Sequence, residues 1–103
     1  MTNVRSIVED YLDRGTIIVV IDSSVKDVVL PDHLMNSKEV KLNLSYRFQT
    51  NIFEIDDEKI IVDLSFKGTR VVCVIPFRSI YYIANLEDQL NGVDIIENNP
   101  FYM

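Results

Sequence analysis

The feature that most constrains this chain is a change of hydrophobic period at Gly15. Before it, Val4, Ile7, Val8, Tyr11 and Leu12 follow i, i+3, i+4, i+7, i+8 spacing, which lays one apolar stripe along a helix over residues 3–14. Thr2 or Asn3 is placed to cap its start, and Gly15 suits a left-handed stop. After Gly15 the apolar residues come in short β-branched or alternating runs, the signature of strands. One helix followed by short strands predicts a mainly β domain with one N-terminal α-helix, built as a small antiparallel barrel or sandwich.

The expected strands are Thr16 to Ile21, Lys26 to Leu30, Glu39 to Ser45, Ile52 to Ile55, Lys59 to Phe66, Arg70 to Ile75 and Ile80 to Ala84, with Val93 to Ile96 as a further edge. Val40, Leu42 and Leu44 alternate with Lys41, Asn43 and Ser45; Ile60, Val62, Leu64 and Phe66 alternate with Ile61, Asp63 and Ser65. Asp56-Asp57-Glu58 and Lys67-Gly68 read as hairpin turns, and Asn91-Gly92 as another turn. With 103 residues the chain makes one domain, expected over 1–97, with 98–103 as a flexible C-terminal end.

The net charge is −6, and the 10 basic residues do not cluster. A phosphate backbone needs a basic face, so this balance argues against a nucleic-acid partner. The single cysteine, Cys73, lies in the apolar run Val71 to Ile75 and reads as an inert core thiol, which fits a reducing cytoplasm. No apolar stretch is long enough to span a membrane. Glu9, Asp10 and Asp13 make the beginning unlike a signal peptide.

Catalysis needs converging groups, and few are offered. His33 is the one histidine and stands in the loop after Pro31-Asp32; neither a Ser-His-Asp arrangement nor a zinc site can be built around it. The three glycines, at 15, 68 and 92, form no phosphate loop. No enzyme, metal or cofactor is expected. The continuous apolar runs of Lys59 to Phe66 and Val71 to Ile75 are either covered on both faces or left to bind an extended peptide at a sheet edge.

The blocks Val28-Val29-Leu30-Pro31, Val40-Lys41-Leu42-Asn43-Leu44-Ser45-Tyr46-Arg47, Ile61 to Gly68, Val74-Ile75-Pro76 and Ile80 to Asn85 resemble, in collinear order, the pattern of the stringent starvation protein B family. The resemblance covers residues 4–97. It implies a small Sm-like β-barrel or sandwich that performs no chemistry. It also implies capture of polypeptides bearing the tag added by transfer-messenger RNA (ssrA-tagged chains) and their delivery to the ClpX unfoldase of the ClpXP protease.

By the same resemblance the chain forms a homodimer through Val4, Ile7, Val8, Tyr11 and Leu12, and binds the tag with Ser45, Arg47, Leu64, Phe66, Lys67, Gly68 and Thr69. Leu64 is bulkier than the small residue of the family pattern, and the loop from Arg47 to Lys59 is one residue longer, which implies a different tag preference. Family members also carry an acidic tail ending in a motif that docks on the unfoldase, and Asn99-Pro100-Phe101-Tyr102-Met103 does not resemble it. The alternatives are an Sm-like RNA binder, against which the charge counts, and a structural module that recruits a partner through Tyr81, Tyr82 and the residues that follow.

Overall fold

A computed structural model describes residues 2–102. Helix α1 runs over Val4–Arg14, and the Asn3 side chain caps it by accepting the Ser6 N–H at 3.1 Å. Gly15 ends it with φ 142° and ψ −156°, an extended glycine conformation in place of the expected left-handed one. That geometry turns the chain directly into strand. Val4, Val8 and Leu12 are buried in the domain's own core, and Ile7 and Tyr11 pack half-buried beside them. Of the five residues expected to meet a twin helix, Val4, Val8 and Leu12 are thus already buried within the subunit.

The strands are β1 (Ile17–Ile21), β2 (Val40–Leu44), β3 (Phe53–Ile55), β4 (Lys59–Phe66), β5 (Thr69–Pro76), β6 (Ile80–Asn85) and β7 (Asp88–Asp94). They form two antiparallel sheets, one in the order β2-β1-β6-β7 and one in the order β3-β4-β5. One apolar core joins both sheets and the helix through residues such as Val8, Val19, Leu42, Val62, Ile75 and Ile83. The sheets do not close into a barrel. On one side the isolated bridge to Val74 ties β5 to Val29 in the connection between β1 and β2; on the other, β2 and the end of β4 stand apart.

The β4–β5 hairpin turns on Lys67 and Gly68 with φ of 51° and 84°, the primed turn that suits strand twist. Residues 26–30 do not form the expected strand. Asp27 adopts φ 75°, and the Val28 N–H closes a turn on the Val25 carbonyl, so Val29 alone stays in bridging geometry. Asn91-Gly92 is no turn but the middle of β7; the turn lies at Leu86-Glu87, and β7 begins five residues before the expected Val93. Gly92 is required by close approach, because a Cβ there would sit 2.4 Å from the Ile83 carbonyl oxygen and 2.5 Å from the Tyr82 ring.

Beyond β7 the chain folds back on the domain. The Asn98 amide donates to the Phe77 and Ile80 carbonyls at 3.1 and 2.9 Å, and the Phe101 ring meets Tyr81 edge-on at 6.3 Å. Met103 lies outside the described residues.

Candidate functional site

The break between the sheets is a groove of about 480 Å³ lined by Lys41, Leu42 and Asn43 of β2, Phe48, Gln49 and Thr50 of the following loop, Asp63 to Phe66 of β4, and Arg70 of β5. Both banks are strand edges. Strand β2 is paired on one side only, with β1. Strand β3 covers β4 only at Ile60, Ile61 and Val62, so among the described residues nothing pairs with Leu64, Ser65 and Phe66 on that side. Antiparallel pairing points alternate residues to alternate sides. Since the Asp63 N–H points to this side, donating to the Ile52 carbonyl at 3.2 Å, the Ser65 N–H and C=O point there too. The apolar floor comes from core-facing side chains: Leu42 and Leu64 are buried, and Phe66 is half-buried.

The groove's charge opposes that of the molecule. Asp63 is paired with Arg70 at 3.1 Å, and Lys41 takes part in no salt bridge among the described residues. The lining therefore carries a spare positive charge in a chain of net charge −6. Asp63 is 3% exposed. Its Oδ1 accepts the Asn51 and Ile52 N–H groups at 2.8 and 2.9 Å. The Ile52 N–H, then the Asn51 N–H and the Arg70 guanidinium, hold its carboxyl below the usual range, against the opposing effect of desolvation.

The residues expected from sequence are only partly brought together. Leu64 and Phe66 line the groove. Ser45, expected among the tag-binding residues, is buried at 1% exposure, and its hydroxyl accepts the Arg47 N–H at 3.1 Å. Arg47 instead lines a separate cavity with Arg14, Thr16, Asn85 and Asp88. Lys67, Gly68 and Thr69 form the exposed tip of the β4–β5 hairpin and do not line the groove. The edge of β2, the loop at Phe48 and the pair Asp63–Arg70 were missed. One signal for Asp63 was present: it is the single acid within the apolar run Ile60 to Leu64, where a carboxylate is buried only with partners.

Elsewhere the chemistry is sparse. Burial pushes the Cys73 thiol up to about 11, which keeps it a poor nucleophile. Among the described residues no group of three or more His, Cys, Asp and Glu side chains gathers in a way that could hold a metal ion, and no helix is long and apolar enough to cross a membrane. No family model matches the chain, and no curated protein matches it at a significant level.

Proposed function

We propose that this chain is a peptide-binding adaptor of the stringent starvation protein B type, which captures tagged polypeptides in the groove between β2 and β4 for delivery to a ClpXP-type protease in the cytoplasm. The observation that carries the reading is that two unpaired strand edges border one apolar-floored groove. An extended peptide laid there satisfies backbone groups on both banks, and its alternate side chains fall on Leu42, Leu64 and Phe66. The uncompensated Lys41 favours an acidic residue in the peptide. The gap between the sheets is the place where an Sm-like barrel would close, and an added strand would bridge it. Ile7 and Tyr11, still half-buried on α1, are the part of the helix stripe left for a homodimer contact.

The test is a fluorescence-anisotropy titration with the labelled transfer-messenger RNA tag peptide beside a scrambled control. The expected outcome is saturable micromolar binding, about −8 kcal/mol, absent for the scramble and lost in Phe66→Ala. Equal affinity for tag and scramble would remove the reading.

A further inference from the structure

We infer that Asp63 is the positioning residue of this groove: through its carboxylate and Arg70 it holds residues 49–51 as an outer wall, beside the one backbone bond in which the Asp63 N–H donates to the Ile52 carbonyl. The inference rests on the reading of the groove as a peptide site and names what sets its width. Asp63 stands on the face of β4 that points away from the core, in step with Ile61 and Ser65, yet it is almost fully buried. What buries it is the loop. Asp63 Oδ1 takes the N–H groups of Asn51 and Ile52, Oδ2 takes Arg70 Nη1, and Arg70 Nη2 donates to the Gln49 carbonyl. Arg70 also reaches the Asp63 carbonyl at 3.4 Å.

Among the described residues, every hydrogen bond made by Gln49 to Ile52 runs to Asp63 or Arg70. The segment has no other polar anchor. Thr50 and Gln49 line the groove directly, and Phe48 lies just before the anchored stretch. The carboxylate thus does two things with one side chain. It neutralises the guanidinium, and it keeps the loop from sliding onto Ser65 and completing the edge of β4. A charged group that accepts two N–H groups and a guanidinium at once fixes geometry more firmly than neutral partners do.

The experiment compares amide hydrogen exchange at Asn51 and Ile52, and the tag-peptide titration, in the wild type, Asp63→Asn and Asp63→Ala. Asp63→Asn keeps one carbonyl oxygen for the two N–H groups but turns an amide donor toward Arg70. Asp63→Ala removes both. The expected result is graded: exchange at Asn51 and Ile52 rises slightly in the first variant and more than tenfold in the second. Affinity falls in the same order, by about tenfold or more for Asp63→Ala, while exchange in β1 and β6 is unchanged.

Unchanged exchange at Asn51 and Ile52 overturns the inference whatever the peptide does. Released amides with unchanged affinity overturn the role in binding. If the wild type binds no tag peptide while Asp63→Ala still frees the two amides, the peptide reading falls and the anchoring of the loop stands. Should Asp63→Ala fail to fold, Arg70→Gln cuts the tether to Gln49 and leaves the two N–H bonds; an affinity equal to wild type there overturns the inference.

Discussion

The two sheets solve the same problem in different ways. In the four-stranded sheet β1 reads Ile17-Ile18-Val19-Val20-Ile21, and all five residues are buried. Its neighbours β2 and β6 pair along its whole length. In the three-stranded sheet the partner β3 is three residues long, β4 loses its cover after Val62, and Val72 of β5 is 47% exposed. A strand covered on both faces and both edges has nothing left to offer a ligand. An incompletely covered one has free backbone, and natural edges are otherwise blunted against unwanted pairing. Here the loop anchored on Asp63 and Arg70 stops short of Ser65, and Lys41 is the charge left beside the open edge.

The sharpest way to break the comparison is a pair of truncations. Ile83→Ala, at the fully buried centre of the large sheet, is expected to cost about 3 kcal/mol in urea denaturation. Phe66→Ala, half-buried at the groove, is expected to cost about 1 kcal/mol. Equal losses would mean that the groove side of β4 is as much core as β6.

Gly92→Ala comes next. The new Cβ meets backbone and the Tyr82 ring, whose hydroxyl accepts the Gly92 N–H and donates to the Gln89 carbonyl. The expected destabilisation is about 1–3 kcal/mol, confined to the β6–β7 edge in hydrogen exchange. A smaller effect comes from acid. Asp63 is held down first by the Ile52 N–H, and Asp56 first by the Glu58 N–H. Folded values below the unfolded ones mean stability that is present above about pH 4 and lost as pH falls through the folded values. Both carboxylates serve the small sheet. As pH falls below about 4 exchange is therefore expected to rise around residues 50–60 before it rises in β1. The reverse order would show that these carboxylates do not hold that sheet.

What the sequence disclosed and what it hid follow the same division. Alternation in Val40 to Leu44 and Lys59 to Phe66 placed β2 and β4, because side-chain period is a local property. Lys26 to Leu30 looked like a strand because Val28, Val29 and Leu30 are apolar; the positive φ at Asp27 is a backbone choice that no apolar pattern reports. Leu64 and Phe66, named from the sequence, line the groove. Arg47 lines a different cavity and Lys41 was not singled out, because which strand edges face one another is decided by how two sheets dock and not by spacing along either strand.

The strand order also bears on how the molecule assembles. The central pairing of the large sheet joins Ile17 to Asn85, across about two thirds of the chain, whereas β4 and β5 meet across a two-residue turn. Closing a long loop costs more entropy and delays the contacts that depend on it. Pulsed hydrogen exchange during refolding is expected to protect Val62 and Cys73 before Ile18, whose N–H faces β6; simultaneous protection would refute that order. The hairpin that carries the groove's inner bank is then an early folding nucleus, and the large sheet a late closure that waits for the last third of the chain.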